Sequence, residues 1–181
     1  MFIKLFKTGL LTLLTYLLQA TVAQRIAIGG VAPNIALAFI AVVTVCMGRK
    51  YTFMMSLTIG YLLEIILPML DYINMLIYPI CAMLGALFFS DKSERKLEEE
   101  RAQGKRGKQL NPHLRTVLCA LLSIVVFEGI NLIYTYLSGV EIDALHIGRA
   151  LTDVVYTTVL AAVFQFPIRW WMGTYKLKKA R

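Results

Sequence analysis

Residues 31–70 read VAPNIALAFIAVVTVCMGRKYTFMMSLTIGYLLEIILPML. Two long apolar runs flank a short basic turn, Gly48-Arg49-Lys50. Each run is about 17–20 residues, enough as a helix to cross a hydrocarbon core of ~30 Å. Lipid solvates such runs and water does not. The stretch is therefore read as a membrane hairpin, with one span from Val31 to Met47 and the next from Tyr51 to Leu70.

Working outward, the pattern repeats. A span from Leu5 to Val22 precedes the hairpin and follows Lys4 and Lys7. After a tight turn at Asp71-Tyr72 comes a fourth span, Ile73 to Phe89. A hydrophilic stretch, Ser90 to His113, separates it from a fifth span at Thr116–Leu137 and a sixth at Ala150–Ile168. The composition agrees, with 58% hydrophobic and 17% charged residues in a chain of 181. A soluble domain of that length needs more polar surface. The expectation is a single all-α membrane domain over residues 1–181, a polytopic bundle of six transmembrane helices, with a charged loop at 90–113.

The cations set the orientation. Threaded this way, seventeen of the nineteen lysines and arginines fall on one side, and only Arg25 and Arg149 on the other. By the positive-inside rule both termini and the long loop are cytoplasmic. Trp170 and Trp171 suit an aromatic anchor at that interface. The net charge of +8 reflects orientation and anionic lipid rather than nucleic-acid binding. Lys4, Lys7, the apolar run and Thr21-Val22-Ala23 also have the pattern of a cleaved signal peptide. The length of the run favours retention as a signal anchor.

Within the loop, Asp91 and Arg95, Arg95 and Glu99, and Lys96 and Glu100 lie four apart, as on a solvated helix that Gly104 and Gly107 would end. It reads either as a linker that enforces topology or as a docking surface for a cytoplasmic protein or anionic lipid. Cys46, Cys81 and Cys119 lie scattered in apolar segments and make neither a disulfide framework nor a metal site. His113 and His146 fall at opposite faces, and no nucleophile motif, metal spacing or phosphate loop is present. The expectation is a protein that is not an enzyme and carries no cofactor.

Three carboxylates enter the spans, and ionisable groups there are functional candidates by default. Glu64, Glu128 and Asp153 all lie from the middle to the outer half. Arg149, four residues before Asp153, is expected to bridge to it. Asn131 is a partner for Glu128 at a spacing of three. Glu64 has no cation in its own span and is expected either to be neutral or to pair with Arg25 or Arg149. These groups either hold the bundle together or form an outward-facing polar cavity or partner contact. Ser56, Gly60 and Glu64 recur every four residues, a small-residue stripe that lets another helix come close. Pro79 and Pro68 are expected to kink or end their helices.

Gly29-Gly30-Val31-Ala32-Pro33-Asn34 before an apolar span, a short basic turn, then Gly60-Tyr61-Leu62-Leu63-Glu64 together resemble the bacterial rod shape-determining MreD family. That family shows Pro-Asp or Pro-Asn opening its second span and a Gly-Leu-x-x-Asp pattern in its third. Gly85 resembles a glycine of the fourth span. The chain departs from the pattern at Glu64, Tyr61 and Ser56 and lacks the usual glycine near Asp71-Tyr72. The resemblance implies a multi-pass protein of the bacterial inner membrane. It implies a non-enzymatic scaffold of the cell-elongation complex that partners a bitopic MreC-like protein and acts with MreB, RodA and a class B penicillin-binding protein. It also implies a bundle similar to the substrate-binding subunits of energy-coupling-factor vitamin transporters, and that transporter role is the alternative function. Under the scaffold reading, the outer half around Pro33, Asn34, Glu64 and Asp153 contacts the partner, with Ser56, Gly60, Glu128 and Arg149 beside it.

Overall fold

The computed structural model describes residues 2–66, 73–90 and 110–173. Six α-helices run through them: α1 (Phe2–Leu17), α2 (Ile35–Met47), α3 (Arg49–Ile66), α4 (Ile73–Phe89), α5 (Pro112–Leu137) and α6 (Ala144–Met172). No strand occurs among the described residues, and one isolated bridge pairs Ile28 with Val31. Three segments are long and apolar enough to cross a membrane: Ile3–Val22, Pro112–Leu137 and Ala144–Met172.

The core is one helix wrapped by five. Every residue of α2 from Ile35 to Val45 is buried. Around it α1 packs on α3, α3 on α4, α4 on α5 and α5 on α6. The ring closes loosely between α6 and α1, where a groove remains. Successive helices run in opposite directions, as the contacts at their ends require. Polarity is inverted relative to a soluble protein. Thr15, Thr44, Thr52, Ser56, Thr116 and Thr157 are buried, while Phe6, Phe53, Leu76, Phe88, Val155 and Trp170 face outward. Most of these hydroxyls bond to a carbonyl of their own helix, such as Thr15 to Leu11 (2.7 Å) and Thr44 to Ile40 (2.8 Å), so these hydroxyl protons are not left bare in an apolar interior.

Several boundaries differ from the sequence reading. α2 starts at Ile35 rather than Val31. Proline at 33 disfavours helical backbone at 32, and the Asn34 side chain caps the helix by accepting from the Leu37 N–H (3.0 Å). Residues 28–31 instead turn tightly, with Gly29 and Gly30 both in the left-handed region (φ 61° and 80°). α1 ends in a π-helical turn, Leu18–Val22. α5 begins at Pro112, inside the stretch read as loop, with the Asn111 side chain accepting from His113 N–H (3.2 Å). α6 begins at Ala144 rather than near Ala150, so His146, read as part of the outer loop, is helical, as is Arg149. Pro79 does not end α4, and Pro167 does not end α6. Pro68, the Asp71-Tyr72 turn, the Asp91–Gln109 charge pairs and the cations from Lys176 onward lie outside the described residues.

Candidate functional site

α2 has 13 residues, so it rises only about 20 Å. Its N-terminus therefore opens inside the bundle. The first N–H groups of a helix have no intrahelical acceptor, and in an apolar interior each must find one. All of them do. The Ile35 N–H reaches the Pro33 carbonyl (3.1 Å) and that of Ala38 the Asn34 carbonyl (3.2 Å). Ala36 N–H donates to Gln19 Oε1 (3.0 Å), and Leu37 N–H to Asn34 Oδ1. The Asn34 N–H donates to Thr157 Oγ1 (2.9 Å) and Asp153 Oδ1 (3.3 Å).

Other side chains tighten this knot. The Thr157 hydroxyl donates to Asp153 Oδ1 (2.7 Å), and the Tyr78 hydroxyl to Asn34 Oδ1 (3.3 Å). Gln19 Nε2 donates to the Pro33 carbonyl (3.4 Å). The Tyr156 hydroxyl donates to the Ile26 carbonyl (2.8 Å), pinning the preceding loop. Glu128 of α5 is a neighbour of both Asp153 and Asn131. Five segments thus meet at one point: the π-turn, the α2 start, α4, α5 and α6. The π-turn has a clear consequence, because it supplies Gln19, which bonds to both sides of Pro33-Asn34.

Glu64 is buried but lies at a second junction. Its Oε2 accepts from the Asn74 N–H (2.9 Å), capping the start of α4. Gly60, one turn earlier, makes that junction possible. A Cβ there would stand 2.7 Å from the Asn74 carbonyl oxygen and 3.1 Å from Met75 Cα. Ser56 is fully buried and donates to the Phe53 carbonyl (3.1 Å). Gly85 plays the same part between α4 and α5, where a Cβ would lie 2.6 Å from Ser123 Oγ.

Of the residues singled out in the sequence, Pro33, Asn34, Glu128 and Asp153 come together. Ser56, Gly60 and Glu64 form the separate α3–α4 junction. Arg149 joins neither. The expected Arg149–Asp153 bridge is not made: Asp153 turns inward to backbone and hydroxyl donors, and Arg149 is exposed. Among the described residues neither Arg149 nor Arg25 pairs with a buried acid. The N–H dipoles of helix starts are already fixed beside these carboxylates, whereas a guanidinium would have to be stripped of solvent to reach them. Sequence reading missed Gln19, Tyr78, Thr157 and Tyr156. Gln19 was the available signal, as a lone amide inside an apolar run.

The opposite end of the bundle is cationic. Arg49 Nε donates to Ser90 Oγ (3.1 Å) and its Nη2 to the Leu87 carbonyl (3.4 Å). Arg115 donates to the Phe89 carbonyl, and Lys7 to the Trp171 carbonyl (2.9 Å). Arg169, read as the start of the tail, is instead helical and buried, with Nη2 donating to the Pro112 carbonyl (2.6 Å) and Thr116 Oγ1 (2.7 Å). His113 meets Gln165 (3.1 Å) and stacks on Phe166. Among the described residues, no group of three or more His, Cys, Asp or Glu is placed to hold a metal ion.

Compared with known proteins, the chain matches no family model, and no curated protein or solved structure is significantly similar to it.

Proposed function

We propose that this chain is a multi-pass membrane scaffold of the MreD type. It crosses the bilayer six times with both termini cytoplasmic, and it works without catalysis in the bacterial cell-elongation complex. The observation that carries the membrane part is the inverted polarity: large apolar side chains outside, hydroxyls and acids inside. The short α2 fits this reading. Non-helical backbone at membrane depth is tolerated where protein surrounds it and satisfies its polar groups, and residues 33–38 meet that condition. The family part rests on the motifs Gly29–Asn34 and Gly60–Glu64, both of which fall at helix junctions.

The scaffold reading gains over the transporter reading from the state of the knot. Its donors and acceptors satisfy one another, as in a structural joint, rather than facing an open ligand cavity. The same fact relocates the partner surface. Pro33, Asn34, Ser56, Gly60, Glu64 and Asp153 are buried in the chain's own packing and act by shaping the bundle. What remains for an MreC-like transmembrane helix is the exposed stripe of α6, Leu151, Val155 and Val159, beside Ile28, where a shallow depression of about 580 Å³ lies.

Co-expression with an MreC-like bitopic protein and a photo-crosslinker at Val155 tests this. The expected result is a crosslinked heterodimer from Val155 and none from Leu76 on α4. Complex formation with equal crosslinking at both sites would place the partner elsewhere. Absence of any complex, together with a vitamin-sized ligand retained by the purified protein, would favour the transporter.

A further inference from the structure

The ring of helices around α2 is incomplete between α1 and α6. A groove of about 550 Å³ lies there, lined by apolar side chains. Leu10, Leu14 and Leu17 form one wall, Phe164 and Trp171 the other, and the buried Phe39 of α2 the floor. Phe39 and Phe164 pack as a tilted pair, with ring centroids 5.2 Å apart. At one end the walls are tied by Lys7, whose Nζ donates to the Trp171 carbonyl. An ammonium has three donors, so two remain for another acceptor. Lys4, one turn earlier on α1, is exposed.

We infer that this groove holds one acyl chain of an anionic phospholipid, with the headgroup phosphate at Lys7 and Lys4. Three observations point to that occupant. From Lys7 to Leu18, the far end of the lining, the helical rise is roughly 16 Å, about the hydrocarbon depth of one leaflet. A partner helix about 10 Å across and 30 Å long fills roughly 2,400 Å³, several times the groove. The charge at the rim is positive and sits beside Trp170 and Trp171, as at a headgroup boundary. The chain would complete the ring around α2 with lipid where protein is lacking. This inference needs the membrane setting but not the scaffold function.

The test is native mass spectrometry of the full chain in detergent, titrated with phosphatidylglycerol or phosphatidylethanolamine of the same acyl length. One phosphatidylglycerol is expected to be retained, and each lysine replaced (Lys7→Gln, Lys4→Gln) should lower its apparent affinity about fivefold. Leu14→Trp, which fills the groove, should abolish retention of both lipids. Lys4→Gln changes a side chain that ties neither wall, so it decides the matter even if Leu14→Trp does not fold or Lys7→Gln loosens the rim. Equal retention of the two lipids by the wild type, or retention unaffected by the lysine variants, would overturn the inference. So would a dimer mass that disappears with Leu14→Trp, which would seat a second copy in the groove.

Discussion

At the Asn34 end of the bundle, helix starts are met by acids and amides. At the Lys7 end, helix finishes are met by cations. Asp153, Glu64 and Gln19 accept from the first N–H groups of α2 and α4. Arg49, Arg115 and Lys7 donate to the last carbonyls of α4 and α6. Both arrangements place charge where the helix dipole favours it. They differ in depth. The acid end is buried among five segments, with no solvent to replace a lost partner, whereas Lys7 and Arg49 sit at an exposed rim. There is a further asymmetry: Arg49 and Arg115 stand in the first turn of their own helices, where a cation is unfavourable, and each is turned to use by reaching the end of a neighbour.

If depth decides, substitutions should rank by it. Asn34→Ala removes the acceptor of both the Leu37 N–H and the Tyr78 hydroxyl. Two bare buried groups cost about 2–6 kcal/mol together, so thermal unfolding in detergent should show the largest loss here. A mild effect would mean that water enters the knot.

Next comes the α3–α4 junction. Gly60→Ala drives a Cβ against backbone of Asn74 and Met75, and overpacking of this kind costs about 1–3 kcal/mol. Glu64→Leu should cost a similar ~1–3 kcal/mol by baring the Asn74 N–H, while Glu64→Gln, which keeps an acceptor, should restore most of the melting temperature. Equal losses for Leu and Gln would show that charge matters there rather than the cap. Arg49→Gln at the rim should change stability by only about 0.5 kcal/mol. A loss as large as that of Asn34→Ala would erase the contrast between the ends.

The sequence made the helices legible where an apolar run met a clear breaker. α4 occupies Ile73–Phe89 as read, and α1 with its π-turn ends at Val22 as read. It misled where polarity and membership of a helix part company. His146 looks like a loop residue, yet α6 begins before it, because a helix can extend past the apolar zone. Pro33-Asn34 looked like the first residues of a span and is instead the cap of one. The knot was half legible. Asn34, Glu128 and Asp153 stand out because polar groups in apolar runs are rare. Their partners Thr157 and Tyr78 do not, since uncharged hydroxyls are ordinary in such helices. Nor does periodicity reveal that Asn34 would bond to a residue 119 positions away.

The contrast between the ends has meaning only if they face opposite sides of a membrane, and cysteine labelling in intact cells tests that. In a background with Cys46, Cys81 and Cys119 replaced, Ser138→Cys marks the acid end and Ser90→Cys the cationic end. A membrane-impermeant maleimide should label Ser138→Cys in intact cells and Ser90→Cys only after lysis. Labelling of both from outside, or the reverse pattern, would contradict the account.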